Sequence, residues 1–296
     1  MSGTSPITGD SGRGPGYGSE PRRTKILRAP SISLSGIWNS LSMLSQYRDL
    51  LYTLSVHRIK VRYKQSLLGI FWAVLQPISL MLIYTIIFSF IIRMPSGEQP
   101  YALFVYTGLL PWLCFSSALM SATTSLTSHA NLITKIYFPR EILPLTYVIA
   151  SLFDFLIASL VLGGLLMYYS VPLTWNALYV VPIMLALTLF AVAMSLSFSA
   201  LQGRYRDIGF GIGLLLQLWM FATPVVYPLS LVPERWQPLY LLNPMTSIVE
   251  NFRRVTLQGA TPDLASLGLS VMISVVLLAF AYVFFRLTEA TMADVI

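Results

Sequence analysis

The chain alternates between long apolar stretches and short polar interruptions. Each stretch exceeds the roughly 20 residues that an α-helix needs to cross the hydrocarbon core of a bilayer. This pattern predicts an all-α integral membrane protein with six transmembrane helices. Prolines inside the stretches are compatible with it, because neighbouring helices can satisfy the carbonyls that a proline frees. The six predicted spans are 67–92, 102–128, 142–170, 177–201, 208–228 and 265–286.

Two regions of different character precede the first span. Residues 1–30 are rich in Gly, Ser, Pro and Arg, a composition that is typical of a disordered tail. Residues 31–64 place apolar side chains at helical spacing between charged ones and are too polar to span a membrane. We predict an amphipathic helix that lies in the membrane interface there. The third predicted domain is the six-span transmembrane region, residues 65–296.

Composition and charge agree with this class and orient the chain. Of the 296 residues, 55% are hydrophobic and 10% are charged, whereas soluble domains carry about 25% charged residues. An N-terminus inside the cell places ten Lys and Arg residues on the cytoplasmic side, and the positive-inside rule then makes both termini cytoplasmic. Because the basic residues border apolar stretches, the net charge of +7 indicates lipid headgroups rather than nucleic acid. The cytoplasmic set is Arg48, Arg58, Lys60, Arg62, Lys64, Lys135, Arg140, Arg204, Arg206 and Arg286, and the outer set is Arg93, Arg235, Arg253 and Arg254.

A segment of intermediate polarity, residues 228–259, separates the fifth and sixth spans. Asn243 is a good N-cap, and Pro244 suits the first position of a helix. An apolar stripe then recurs at helical spacing from Met245 to Val255. Such a helix is only about 20 Å long, which is too short to cross a bilayer. We therefore predict two short helices that dip into the outer half of the membrane.

Charged groups near or inside the spans are candidates for function. The basic run before the first span has two interpretations, a topology signal or an attraction for the pyrophosphate of a lipid-linked glycan. Asp154 lies well inside the third span, where a carboxylate costs about 2.5–3.5 kcal/mol. Structural pairing inside the bundle is favoured over a proton relay for Asp154, since no other acid lies deep in a span. The basic run comprises Arg58, Lys60, Arg62 and Lys64.

Aromatic residues are abundant, with 16 Phe, 16 Tyr and 6 Trp. Many are expected to anchor the protein at the interface or to pack in its interior. Six of them lie where they could instead stack on sugar rings along a translocation path. These are Trp72, Tyr84, Phe88, Trp112, Phe115 and Trp219.

Five sequence segments, which follow one another in the order expected for the family, resemble segments of a known protein family. The resemblance is to the membrane subunit of ABC transporters that export polysaccharide or polyol phosphate, such as O-antigen, capsule, teichoic acid or galactan. It covers residues 45–290, most of the chain. The segments are RYKQSLLGIFWAVLQP (62–77), SLTSHANLITKIYFPREILPL (125–145), RYRDIG (204–209), LLLQLWMFATPVVYP (214–228) and LNPMTSIVENFR (242–253).

The resemblance implies a homodimer of six-span subunits that works with two copies of a separate ATPase in the bacterial inner membrane. It implies a lipid-linked polysaccharide as substrate. ATP and Mg²⁺ would bind the ATPase, and this chain would hold no cofactor, metal or catalytic residue. A coupling helix between the second and third spans would contact the ATPase through Leu132, Lys135, Tyr137, Phe138, Arg140 and Glu141. Paired outer gate helices would include Trp236, Asn243, Pro244 and Phe252.

Two other functions remain as alternatives. A permease of the same superfamily could move drugs or lipids. A membrane-embedded glycosyltransferase or ligase would need acids or histidines grouped at the membrane surface. The chain has only two histidines, His57 and His129, and no paired carboxylates placed for acid–base work. It also has no G-x-x-x-x-G-K-[ST] loop, so the energy for transport must come from a partner or a gradient.

Overall fold

The computed structural model describes residues 46–64, 69–93, 99–135 and 138–292. These residues form helices and connecting turns and contain no β-strand, which confirms the all-α prediction for the described part of the chain. We number the helices in chain order. They are α1 (Arg48–Lys64), α2 (Gly69–Ile91), α3 (Tyr101–Thr123), α4 (Ser125–Ser128), α5 (Ala130–Lys135), α6 (Ile142–Tyr168), α7 (Val180–Arg204), α8 (Ile208–Phe221), α9 (Gln237–Leu241), α10 (Pro244–Thr256) and α11 (Leu264–Met292).

Within the described residues, five helices are long and apolar enough to cross a membrane. They are α2, α3, α6, α7 and α11, and they correspond to the first, second, third, fourth and sixth predicted spans. The largest differences among them are at the ends of the second and sixth spans, which were predicted to reach residues 128 and 286, whereas α11 continues to Met292. The helix α3 stops at Thr123, and the separate turn α4 follows it.

The predicted fifth span, 208–228, is not one continuous helix. Helix α8 ends at Phe221 after 14 residues, a length of about 21 Å that is too short to cross the hydrocarbon core. The chain then leaves the helical path, and residues 223–226 are buried. Pro224 and Pro228 account for the break, because proline lacks the backbone donor that a helix needs and disfavours helix in the preceding residue.

Helix α3 lies at the centre of the subunit. It packs against α2, α6, α7, α8 and α10. Of the residues in its most apolar 18-residue stretch, 78% are buried. The corresponding fraction for α2 is 11%, and the last turns of α2, Thr85–Ile91, widen into a π-helix. Because α2 is apolar yet exposed in the single chain, it must face lipid or another protein.

The apolar interior is divided between two clusters. The larger one surrounds α3 and includes the apolar side chains of α10. The smaller one lies where α6 begins and where α7 and α11 approach their ends, which is the predicted cytoplasmic side. We call it the lower cluster, and it comprises Leu126, Phe138, Ile142, Leu143, Ala193, Leu196, Ala200, Ala281 and Phe285.

Helix α1 packs against the rest of the subunit. Leu50, Leu51 and Leu54 contact the lower cluster, and the helix runs along α6. The predicted interfacial helix covered 31–64, of which the structure describes residues 46–64. In that part, the side chains of α1 that face the bundle are held by α6 and the lower cluster.

Helix α10 is the longer of the two short helices between α8 and α11. Its N-cap is Asn243, whose Oδ1 accepts a hydrogen bond from the backbone nitrogen of Met245 at 3.2 Å, and Pro244 occupies the first turn. Eleven of its 13 residues are buried. The sequence predicted a single apolar stripe, but α10 packs against α3, α7 and α11 and is therefore enclosed on nearly every side.

Candidate functional site

The loop between α3 and α6 contains the residues predicted to contact an ATPase. Helix α5 is only six residues long and ends with Lys135, which is exposed. Leu132 is half-buried, and Phe138 is buried in the lower cluster. Tyr137 lies outside the described residues. The structure therefore presents Lys135 as an accessible cation on this loop.

Arg140 and Glu141 point toward helix α11. The Arg140 Nη1 donates a hydrogen bond to the Glu289 carbonyl at 3.1 Å. The Arg286 Nη2 lies 2.8 Å from Glu141 Oε1, and the Arg286 Nη1 donates to Glu289 Oε2 at 3.0 Å. The Glu141 side chain is only 2% exposed. We call these four residues the α11 ion cluster.

The position of Glu141 explains why its contact with Arg286 matters. Burial raises the pKa of the Glu141 carboxyl, and the Arg286 guanidinium opposes that rise. A buried carboxylate without such a partner would be strongly unfavourable. The charge of Glu141 therefore ties the loop to α11 and is not exposed on the surface of the subunit.

His129 joins the same loop to α1, a role that the sequence did not reveal. Its Nδ1 lies 2.8 Å from the Ser125 carbonyl, so this nitrogen carries the proton, and its Nε2 accepts from Arg58 Nη2 at 2.8 Å. Arg58 also lies over the Tyr147 ring, 4.0 Å from its centroid. Burial lowers the pKa of His129, the bond to Ser125 raises it, and the charge of Arg58 lowers it further. A neutral His129 is the form that can accept from Arg58.

Asp154 pairs with α1, as the structural interpretation of this residue required. Arg62 Nη1 and the Tyr63 hydroxyl each donate to one oxygen of the Asp154 carboxylate. The side chains of Arg62 and Asp154 are 33% and 22% exposed. Two members of the basic run, Arg58 and Arg62, thus have partners within the chain. Lys60 and Lys64 are exposed.

Asp154 also lines a cavity of about 440 Å³ between α2, α3, α6 and α8. Such a volume is typical of small-molecule sites, which hold a few polar groups among apolar walls. The cavity is unusual for a membrane interior because hydroxyl, amide and carboxylate side chains converge on it. Its polar lining comprises Gln76, Ser116, Ser117, Ser121, Ser151, Asp154 and Gln217, and its aromatic lining comprises Tyr84, Trp112 and Phe155.

The six aromatics predicted to line a path fall into different environments. Tyr84 and Trp112 line the cavity. Phe115 is fully buried and packs on Phe190 and Trp219, with ring centroids 5.1 and 5.3 Å apart. The remaining two lie on α2: Trp72 is exposed, and Phe88 stacks on Tyr101.

The residues predicted to form an outer gate also lie in different environments. Trp236 is half exposed, with 48% of its surface accessible. Phe252 is enclosed in the larger core cluster. Asn243 caps α10 and donates through Nδ2 to Thr223 Oγ1 at 2.8 Å, which ties the start of α10 to the break after α8.

Arg253 is the residue that the sequence interpretation missed, since it was counted among the outer charges. Its side chain is 2% exposed, and its guanidinium donates to three carbonyls, those of Phe104, Pro224 and Val225. The guanidinium carbon lies 3.8 Å from the centroid of the Phe104 ring. These contacts supply donors to the segment that follows α8. The spacing of the residues indicated that Arg253 is buried, because it follows Val249 by four residues and so falls on the apolar face of α10.

Comparisons with known proteins place the chain in a family. A family model described as ABC-2 type transporter matches residues 49–257. The O-antigen export system permease protein RfbA of Myxococcus xanthus is 35% identical over 79% of this chain and 90% of its own length. RfbA of Klebsiella pneumoniae is 30% identical over 71% and 81%. The polysialic acid transport protein KpsM of Escherichia coli is 24% identical over 81% and 93%. The chain therefore belongs to the ABC-2 type transporter family of membrane subunits.

Proposed function

We propose that this chain is the membrane subunit of an ATP-driven exporter that moves a lipid-linked polysaccharide from the cytoplasm across the bacterial inner membrane. The observation that carries the proposal is the 35% identity to an O-antigen export permease, which extends over 79% of the chain. The names of the other relatives, an O-antigen permease and a polysialic acid transport protein, favour polysaccharide over drugs or lipids as the cargo.

The cavity between α2, α3, α6 and α8 suits a polyhydroxylated cargo. Gln76, Gln217 and the carboxylate of Asp154 can exchange hydrogen bonds with sugar hydroxyls. Tyr84 and Trp112 offer planes on which the C–H faces of sugar rings can rest. Since α2 and α8 are exposed on most sides in the single chain, the cavity would be completed by a second copy in a homodimer.

We place the cytoplasmic entrance for the cargo at the end of α1, beside the basic residues that do not contact Asp154 or His129. Lys60 and Lys64 are exposed near the end of that helix. We assign to them the first contact with the pyrophosphate of the lipid carrier, since ammonium groups bind phosphate well. Arg58 and Arg62 hold α1 on the bundle and position these two lysines.

Transport would be driven by two copies of a separate ATPase, which would bind ATP and Mg²⁺. The contact would fall on the loop from 129 to 141, where Lys135 is exposed. Mechanical coupling requires that the contacted loop be held rigidly by the rest of the subunit. The buried Phe138 and Glu141 anchor this loop, because both lie in the interior of the subunit.

The proposal predicts that Lys135→Glu combined with Tyr137→Ala separates ATP hydrolysis from export. The purified complex should still contain the ATPase, but surface polysaccharide should fall roughly tenfold, as is typical when two sites lose their coupling. Arg254→Glu, a charge reversal at an exposed position in the outer segment, is the matched control and should export normally. Mass spectrometry of the purified wild-type complex identifies the bound lipid-linked sugar. Absence of both an ATPase and a glycan from the wild-type complex would contradict the proposal.

The orientation, with both termini and the 202–207 loop in the cytoplasm, is tested by cysteine labelling. Cys114 is the single cysteine of the chain and is buried, so Cys114→Ala provides a clean background. A cysteine at Tyr205 should react with a membrane-impermeant reagent only in inside-out vesicles. A cysteine at Gln237 should react in intact spheroplasts. The reverse pattern would mean that the subunit is inserted the other way round.

A further inference from the structure

Helix α11 is joined to functional segments at both of its ends. At one end, Arg286 and Glu289 hold Arg140 and Glu141 in the α11 ion cluster. The helix comprises 29 residues and therefore extends over about 43 Å. One helix thus connects the loop on the predicted cytoplasmic side to the outer segment.

The other end of α11 is bonded to α10. Asn251 of α10 donates through Nδ2 to Ser266 Oγ at 3.1 Å, and its Oδ1 accepts from the backbone nitrogen of Asp263 at 2.6 Å. Ser270 Oγ donates to the Pro244 carbonyl at 3.4 Å. These bonds fix the beginning of α11 to both the first and the third turn of α10.

Helix α10 in turn holds the broken end of α8. The Arg253 guanidinium donates to the carbonyls of Pro224 and Val225, and Asn243 donates to Thr223. Because α8 lines the cavity through Gly213, Leu216 and Gln217, a displacement of α10 would move one wall of that cavity. The described contacts therefore form a continuous chain from the loop to the cavity.

We propose that α11 is the rod that carries movement of the coupling loop to α10 and α8, and that the Glu141–Arg286 ion pair is the joint at its cytoplasmic end. The inference rests on the proposed function, because it assumes that an ATPase moves the loop. A carboxylate as buried as Glu141 cannot part from its guanidinium without a large cost. The loop and α11 therefore move together, and a helix with an intact hydrogen-bond ladder passes the displacement along its axis.

Charge exchange tests the joint. Glu141→Gln and Arg286→Gln should each leave ATP hydrolysis running while export per ATP falls roughly tenfold. The double exchange Glu141→Arg with Arg286→Glu should restore at least half of the export. Arg48→Gln removes an ion pair of the same type that is confined to the exposed surface of α1, and it is the matched control. Normal export per ATP in both single variants would overturn the proposal.

A second pair of variants tests the rod without touching either joint. Val275 and Val276 are exposed in the middle of α11. Replacing both by glycine softens the helix, whereas replacing both by alanine removes the γ-methyl groups of both valines and keeps the helix stiff. Export per ATP should fall in the glycine variant and remain normal in the alanine variant. Equal export in the two variants would exclude α11 as the transmitting element.

The readouts keep this inference separate from the proposed function. Each variant is compared with the wild-type permease–ATPase complex, measured for ATP hydrolysis in proteoliposomes and for surface polysaccharide in cells. If the wild type shows neither an associated ATPase nor export, the proposed function fails. If the wild type exports and the exchange and glycine variants behave like their controls, only the rod is wrong.

Discussion

Replacing Arg253 by methionine is expected to lower the free energy of unfolding by about 3–5 kcal/mol, because the buried carbonyls of Pro224 and Val225 lose the donor that Arg253 supplies. Methionine keeps much of the side-chain volume, so the loss reports on hydrogen bonds rather than on a cavity. Phe104, Pro224 and Val225 would each lose a partner. In detergent, the melting temperature of the purified subunit should fall by roughly 10 °C.

The neighbouring residue supplies the control for this prediction. Arg254 carries the same charge on the same helix, but it is exposed, and its Nε donates a hydrogen bond to the Thr261 carbonyl at 2.7 Å. Arg254→Met should change the free energy of unfolding by less than about 0.5 kcal/mol. A similar melting temperature for both variants would show that the three carbonyls do not depend on Arg253.

Gly108 provides an independent probe of the same contact from the other side. A Cβ placed on Gly108 would lie 2.5 Å from the Val225 carbonyl oxygen and would also overlap the Arg253 guanidinium. Neither group can yield, since each is held by the other. Gly108→Ala should therefore destabilise the subunit, although alanine is the better helix former. A Cβ placed on Gly163 in α6 would meet no atom within 4 Å, and Gly163→Ala should be neutral or stabilising.

The sequence predicted the membrane-spanning helices well where hydropathy alone decides the structure. A lipid-embedded backbone must satisfy its own hydrogen bonds, so a long apolar stretch has few alternatives to helix. The same reasoning failed for α8. Residues 222–228 carry no charged side chain and were therefore included in the predicted span, but the carbonyls of Pro224 and Val225 find a donor in Arg253, which lies about 30 residues later in the chain. Tertiary contacts of this kind leave no trace in a hydropathy profile.

The local signals at the start of α10 were reliable, whereas contacts between distant residues could not be predicted. The cap at Asn243 and the proline at 244 involve adjacent residues, and both occupy the positions that the sequence indicated. Glu141 was assigned to the ATPase contact because the resemblance to the exporter family implies a coupling helix in this loop. Its partner Arg286 is 145 positions away, so neither the burial of Glu141 nor the α11 ion cluster was visible in the sequence.

Removing Arg62 while keeping Asp154 is expected to have the second large effect, because it strands a carboxylate within a predicted span. Arg62→Leu should lower the free energy of unfolding by about 1–3 kcal/mol, and the double variant Arg62→Leu with Asp154→Leu should recover part of that loss. Lys64→Leu removes an exposed cation two residues away and should leave the free energy of unfolding nearly unchanged, so it is the control for stability and not for export.

The comparison between the single and double variants decides what Arg62 does. If Arg62 serves chiefly to hold α1 on α6 through Asp154, the two substitutions are non-additive in stability, and export follows stability. If Arg62 instead binds the cargo, Arg62→Leu would abolish export at normal stability, and Asp154→Leu would not restore it. The structure favours the first outcome, because Asp154 accepts from both Arg62 and Tyr63, two consecutive residues that together fix the end of α1 against the third span.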